Sequence, residues 1–252
     1  MLLTIDVGNT NTVLGLFGGP ELMESWRIKT DSRATADEML LIYRGLLEGQ
    51  PGLTGISLCS TVPAVLHELR LMLDRYFPRV DTVIVEPGVR TGVAVVTDNP
   101  REVGADRIVN TLAVFERYGG PAIVVDFGTS TNLDVVSAKG EFLGGALAPG
   151  IQISLDALAA RAAQLRKVEL VRPRSPIGRN TVEALQSGAL YGFAGQVDGL
   201  VRRITAELGA VEAVVATGGL AEIVVPESES ITHHDPYLTL HGLRLVFDRN
   251  RD

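Results

Sequence analysis

The sequence predicts a duplicated α/β protein, two related domains of strands and helices, on three observations. The phrase Asp6-Val7-Gly8-Asn9-Thr10 recurs in the second half as Asp126-Phe127-Gly128-Thr129-Ser130-Thr131. Each copy follows a short apolar run, Leu2-Leu3-Thr4-Ile5 or Ala122-Ile123-Val124-Val125, and leads into a second β-prone run. That pattern reads as strand, tight turn, strand. After each hairpin, strands and helices alternate, the pattern of layered α/β domains. Glycine in such a turn lets backbone N–H groups approach a ligand closely, and a carboxylate ending a buried strand can hold a hydrated metal ion. Two hairpins of this kind, one per half, predict a nucleotide cleft between the two domains.

The elements follow in order. Strands are expected at 2–6, 12–17 and 22–29, a helix over 35–49, a strand at 55–59 and a helix over 63–76. A strand pair near 82–86 and 93–96 precedes Asp98-Asn99-Pro100 and a helix with Ile108, Leu112 and Phe115 on one face. Tyr118-Gly119-Gly120-Pro121 breaks the pattern and marks the boundary between domains 1–118 and 119–252. Strands at 122–126, 131–137 and 140–147 come next, then a helix from Pro149-Gly150 to about Leu165. A proline-containing loop covers 168–179. Val182, Leu185, Ala189, Phe193, Val197, Leu200 and Ile204 keep the three-to-four spacing of a helix over 181–208. A strand at 213–217 and a helix opening after Asp235-Pro236 complete the plan. Arg244 to Asp252 reads as a solvated tail.

Bulk properties narrow the function. The 252 residues suffice for one large domain or two small ones with real cores. A net charge of −7, with no long run of one sign, disfavours a broad nucleic-acid face. The single cysteine, Cys59, excludes an intrachain disulfide and a multi-cysteine metal site, and in its apolar run it reads as a buried core thiol. No apolar segment approaches the roughly 20 residues that span a membrane, and no secretion signal is visible, so the cytoplasm is the expected location.

The candidate chemistry starts at the hairpins. Asp6 and Asp126 face the cation side, while Gly8, Asn9, Thr10, Asn11, Thr12 and, in the second domain, Thr129 offer donors to phosphoryl oxygens. A lone Asp-x-Gly-x-Thr also occurs as a plain turn; two copies in matched contexts favour the functional reading. Neither a Gly-x-x-x-x-Gly-Lys-Ser/Thr loop nor a dinucleotide fingerprint is present. Phosphate charge must then be met by metal ions, backbone dipoles and hydroxyls. In Gly104-Ala105-Asp106-Arg107, Asp106 can accept a proton from an attacking hydroxyl and Arg107 can clamp a carboxylate on the acceptor; the bland alternative is a helix cap beside a surface arginine. Gly144-Gly145-Ala146-Leu147-Ala148-Pro149-Gly150 reads as a glycine-rich loop before a helix N-terminus, Thr217-Gly218-Gly219 as a similar turn after a strand. Thr181 opens a helix. His233-His234-Asp235 could be taken for a metal trio, but adjacent histidines on a strand face opposite ways. Gly188, Gly192, Gly195 and Gly199 recur along the long helix, each costing up to roughly 1 kcal/mol against alanine. They fit close packing against the chain's own sheet or against a second copy of the helix.

Taken together, these phrases resemble the acetate and sugar kinase, Hsc70 and actin superfamily of duplicated ribonuclease-H-like (actin-like ATPase) domains. Within it the chain resembles type III pantothenate kinases over nearly its whole length. The most specific element is Gly104-Ala105-Asp106-Arg107; Asn99-Pro100, Gly144-Gly145, Pro149-Gly150, Gly178-Arg179-Asn180-Thr181 and Thr217-Gly218-Gly219 add to it. The resemblance implies ATP-dependent phosphorylation of pantothenate to 4′-phosphopantothenate, the first step of coenzyme A biosynthesis. It implies Asp106 as general base, with Gly104, Ala105, Arg107 and Thr181 at pantothenate. Asp6, Val7, Gly8, Asn9, Thr10, Asn11, Thr12 and Val13 would hold the phosphates of ATP, with Mg²⁺ at Asp6, and Thr129 would touch ATP. Asp126 would bind a monovalent cation, K⁺ or NH₄⁺, and the enzyme would be a homodimer. One departure is Ser130-Thr131-Asn132, where the family has a small residue and two threonines; Asn132 retains hydrogen-bonding capacity, so activity is expected to survive. Two alternatives stand beside this reading: a non-catalytic regulator, since some relatives were first described as accessory factors in transcription, and a kinase of another small hydroxy acid.

Overall fold

The structure is a computed structural model that describes residues 1–161 and 167–251. The chain forms two compact units, each built on a five-stranded mixed sheet.

The first unit comprises Met1–Gly92, Asn99–Ala113 and Thr239–Asp252. Its strands are β1 (Leu2–Val7), β2 (Asn11–Gly18), β3 (Glu21–Lys29), β4 (Gly55–Ser60) and β5 (Asp81–Ile84), ordered β3-β2-β1-β4-β5. β1 pairs antiparallel with β2 and parallel with β4, so the first hairpin lies at the centre of the sheet. Alternate residues Leu3, Ile5 and Val7 pack against α1 (Ala36–Leu46) and α2 (Pro63–Tyr76) through Leu40, Tyr43, Leu69 and Met72. α1 starts with a capping box in which Thr35 and Glu38 satisfy each other's backbone donors. Leu2 and Phe17 pack with Leu240 and Phe247 of the last helix, α7 (Leu238–Asn250).

The second unit comprises Val93–Asp98 and Val114–Leu238. β6 (Ala122–Phe127), β7 (Ser130–Val136), β8 (Phe142–Pro149), β9 (Ala213–Thr217) and β10 (His233–His234) are ordered β10-β9-β6-β7-β8. This is the first unit's order strand for strand: the hairpin β6–β7 is antiparallel and β9 joins β6 in parallel. Ile123, Val125, Phe127 and Leu133 pack on α4 (Ile151–Arg161) and on α5 (Thr181–Leu208) through Leu155, Leu190, Ala194 and Val197. α3 (Ala105–Tyr118) carries the chain from one unit into the other, and α6 (Ala221–Val224) follows β9.

The duplicated α/β reading holds, and four local expectations change. The compact units are discontinuous, in place of the single boundary at residue 118, because α7 returns to the first sheet: Phe247 rests on Gly55 and the Ser57 hydroxyl donates to the Leu243 carbonyl at 2.8 Å. For the same reason Arg244 to Asn250 is helix with Val246 and Phe247 buried, not a solvated tail. Residues 93–96 form only one bridge, Val95 to Phe142. Gly144 and Gly145 lie within β8, opposite Val135 and Asp134, so only Gly150 separates strand from helix. The expected end of α4 at Leu165 lies outside the described residues. Among the described residues no helix is long and apolar enough to cross a membrane.

One side chain pins the turn before β10. The Asp198 carboxylate accepts from the Ser228 and Ser230 hydroxyls at 2.6 Å each and from the Glu229 and Ser230 amides at 3.1 Å. Burial disfavours its charge, yet these donors hold its carboxyl below the usual range. A depressed carboxylate stabilises the fold above its unfolded pKa, and that stabilisation disappears as pH falls through the folded value. Asp198→Ala should therefore cost about 1.5–3 kcal/mol at pH 7, the range for hydrogen bonds to charged groups. The deficit against wild type in urea unfolding should shrink towards pH 2.

Candidate active site

The first unit gathers most of the expected residues. β1 delivers Asp6 to the end of the central strand, and Gly8 makes the tight return, its amide donating to the Asn11 carbonyl at 3.0 Å. Asn9, Thr10 and Asn11 are exposed at the tip, Val13 is half-buried, and Thr12 is buried. The Thr12 hydroxyl lies 2.9 Å from that of Thr30, which in turn donates to the Gly8 carbonyl at 2.8 Å. Thr30 has one proton to give, so Thr12 donates to Thr30. The hydroxyl of Thr12 is thus committed inside the protein.

Gly104 closes the first turn of α3, its carbonyl accepting from Arg107 and Ile108 at 3.2 and 3.3 Å. A Cβ at position 104 would lie 2.5 Å from Oδ1 of Asp106, so glycine is what leaves this carboxylate room. Burial raises the Asp106 carboxyl above its usual range, opposed by the amides of Arg107 and Asp106 itself and by the Arg107 charge. At Asp6, burial is again the first cause and the Asp106 charge the second, and together they push the carboxyl up to about 7 against the Cys59 hydrogen bond. Cys59 is the residue that the sequence reading left in the core. β1–β4 register sets it opposite Asp6, and its thiol donates to Oδ1 at 3.4 Å. β1 and β4 are separated by two strands and a helix, so the sequence carried no signal for this contact. The first unit therefore holds two half-buried, shifted carboxyls within electrostatic range of each other beside a glycine hairpin, an arrangement concentrated at functional sites.

The second unit repeats the hairpin with different supports. Asp126 ends β6, opposite Asn132 on β7 and Thr217 on β9. Gly218, at φ +93°, comes so close that a Cβ there would lie 2.4 Å from Oδ1 of Asp126. Gly128 and Thr129 are exposed at the tip, and the Gly150 amide before α4 donates to the Thr129 carbonyl at 3.0 Å. Thr181 is exposed in the first turn of α5, which Asn180 caps by accepting from the Glu183 amide at 2.9 Å. His233 and His234 are exposed, while Asp235 is buried with Arg117 and Tyr118 at 3.0 and 3.1 Å; this trio is a structural tie. Among the described residues no three His, Cys, Asp or Glu side chains converge as a metal cage.

Comparison with known proteins shows the family of the chain. The profile of the family described as "Type III pantothenate kinase" matches residues 2–203. The type III pantothenate kinase of Frankia alni is 69% identical over 250 residues, covering 99% of this chain and 100% of that protein. That of Streptomyces coelicolor is 59% identical, covering 99% and 98%. Among solved structures, a conserved protein of Campylobacter jejuni assigned to the Baf family of transcriptional activators superposes with a TM-score of 0.61 at 18% identity, covering 98% of each chain. A polyphosphate/ATP-glucomannokinase of Arthrobacter sp. strain KM gives 0.53 at 13%, again covering 98% of each. At such identities these two speak to the fold alone.

Proposed function

The chain belongs to the type III pantothenate kinase family, and on that premise we infer how its residues divide the transfer of a phosphoryl group from ATP to pantothenate. It is a kinase of coenzyme A biosynthesis that acts on an alcohol group. The carrying observation is near-complete, high-identity coverage by kinases of this one family, with Asp6 and Asp106 sharing one electrostatic environment. Asp106 orients the pantothenate hydroxyl and accepts its proton; in a loose transition state, orientation is the larger part of that role. Gly104, Ala105, Arg107 and Thr181 bind pantothenate, with the planar guanidinium of Arg107 suited to its carboxylate. Asp6 to Val13 and Thr129 engage ATP.

Two ions complete the reading. Mg²⁺ arrives with ATP and needs only one or two protein carboxylates, so a single half-buried Asp6, raised by desolvation and then by the neighbouring Asp106 charge, fits it through water. Bound there, Mg²⁺ would offset charge on the phosphates. K⁺ or NH₄⁺ is assigned to Asp126. In support, Oδ1 of Asn132, across the hairpin from Asp126, is buried with no hydrogen-bond partner among the described residues, a second oxygen suited to a weakly hydrated cation.

We assign the enzyme to the cytoplasm, where ATP is supplied, without nucleic-acid or membrane partners, as the net charge of −7 suggests. We further assign it a homodimeric state through α5. Among the described residues a Cβ added at Gly188, Gly192 or Gly195 would meet nothing within 4 Å, so packing on the chain's own sheet does not explain these glycines. Gly192→Leu should convert a dimer to a monomer in light scattering while leaving the far-UV circular dichroism unchanged; an unaltered mass would remove α5 from the contact.

A coupled ADP-release assay with pantothenate and a panel of hydroxy acids, run in K⁺, NH₄⁺ and Na⁺, tests the whole reading. The expected result is turnover with pantothenate alone, dependent on K⁺ or NH₄⁺. Equal turnover with another hydroxy acid, or none with any, overturns it.

A further inference from the structure

A hairpin that binds phosphate must offer N–H groups and keep its carbonyl oxygens away, because a carbonyl dipole pointing at an anion repels it. Turn peptides in water rotate easily, so something must fix them. In the first hairpin that work falls on two threonines outside it. Thr30 directly follows β3, the strand beside β2, and Thr61 directly follows β4, the strand beside β1. They therefore flank the hairpin from both sides.

We propose that Thr30 and Thr61 are positioning residues that set the peptide planes of the ATP-binding hairpin. Thr30 donates its hydroxyl to the Gly8 carbonyl at 2.8 Å and its amide to the Thr10 carbonyl at 3.0 Å. Thr61 donates both amide and hydroxyl to the Val7 carbonyl, at 3.0 and 3.2 Å. The Asn11 carbonyl is taken by the Gly8 amide. In a planar trans peptide the C=O and the following N–H point in opposite directions. Holding Gly8 C=O on Thr30 thus turns the Asn9 N–H the other way, and holding Thr10 C=O on Thr30 turns the Asn11 N–H likewise. The Thr12 hydroxyl, by donating to Thr30, keeps that side chain in the rotamer that reaches Gly8. This inference rests on the hairpin being the phosphate-binding element of the proposed kinase reaction.

The test uses Thr30→Val and Thr61→Val, which keep the β-branched shape and delete the hydroxyl. For Thr30→Val the KM for ATP should rise about tenfold, the effect of one lost hydrogen bond. The KM for pantothenate and kcat should stay within about twofold of wild type, a split that general destabilisation would not give. Thr30→Ser should restore the wild-type KM. Thr61→Val should have a smaller effect, since its backbone amide still holds Val7; if Thr30→Val does not fold, this variant carries the test. Thr10→Val, at the hairpin itself, separates the two failures. If Thr10→Val raises the KM for ATP and the flanking variants do not, the positioning role is wrong and the hairpin assignment stands. If none of the three alters it, the hairpin assignment falls as well. Equal losses for both substrates would make these threonines merely structural and overturn the proposal.

Discussion

Asp106→Asn should lower kcat by about a thousandfold or more, within the range that general bases contribute, while ATP still binds. Asparagine keeps the volume beside Gly104, where a Cβ at that glycine would come within 2.5 Å of Oδ1, so the first turn of α3 should survive. What is lost is the lone pair that takes the proton and the charge that orients the alcohol. Two pH effects follow from the causes of the shifts. Burial raises the Asp106 carboxyl, so the acidic limb of kcat/KM in the wild type should lie above the ordinary aspartate range. Below that limb the base is protonated and the rate falls. In Asp106→Asn that limb should vanish. The variant also removes the negative charge that helps hold Asp6 at about 7, so the Asp6 carboxyl should titrate lower in the metal-free protein, visible by carboxyl-region NMR. Turnover close to wild type in this variant would exclude Asp106 from the chemistry; unchanged titration of Asp6 would mean the two carboxyls do not sense each other.

The duplication and the phrases of the candidate site are legible in the sequence because both are local. Asp6 to Asn11 and Gly104 to Arg107 are short continuous phrases, and the apolar runs beside the hairpins announce central strands with period-two packing. What stayed hidden depends on contacts between distant segments. Cys59 reaches Asp6 only through the parallel register of β1 and β4, which no spacing in the sequence specifies. Thr30 and Thr61 act on carbonyls 22 and 54 residues away, and each alone looks like an ordinary residue at a strand end. Residues 244–250 read as a charged tail because arginines and aspartate flank the two side chains that anchor them; Val246 and Phe247 find their partners only once α7 returns to the first sheet. The glycines of α5 illustrate the reverse. Their spacing was plain, but it does not distinguish an internal from an external partner; among the described residues a Cβ at Gly188, Gly192 or Gly195 would meet nothing within 4 Å.

Gly150→Ala should damage both the fold and the activity of the second unit. A Cβ at this position would lie 2.3 Å from the Thr129 carbonyl oxygen and 2.6 Å from that of Gly128. Both contacts are backbone, so no side chain can swing aside; either the hairpin tip or the first turn of α4 must move. The Gly150 amide also donates to Thr129 at 3.0 Å, and the Gly150 carbonyl holds Ser154 through its amide and hydroxyl at 3.0 and 2.9 Å, so displacement strains both sides of the joint. Overpacking of this kind costs about 1–3 kcal/mol, a fall in Tm of roughly 2–12 °C for a chain of this size. Activity should suffer more. A shift of about 1 Å at a substrate-positioning group can cost about a hundredfold in rate, and Thr129 is the ATP contact assigned to this tip. Gly45→Ala is the control: it lies inside α1, where an added Cβ meets nothing within 4 Å, and should leave turnover unchanged while stabilising the helix by up to about 1 kcal/mol. Assayed at 20 °C, where both variants are folded by circular dichroism, Gly150→Ala should retain less than about one hundredth of wild-type kcat/KM for ATP. Retention of most of that activity would mean the tip at Thr129 tolerates displacement and does not hold the nucleotide.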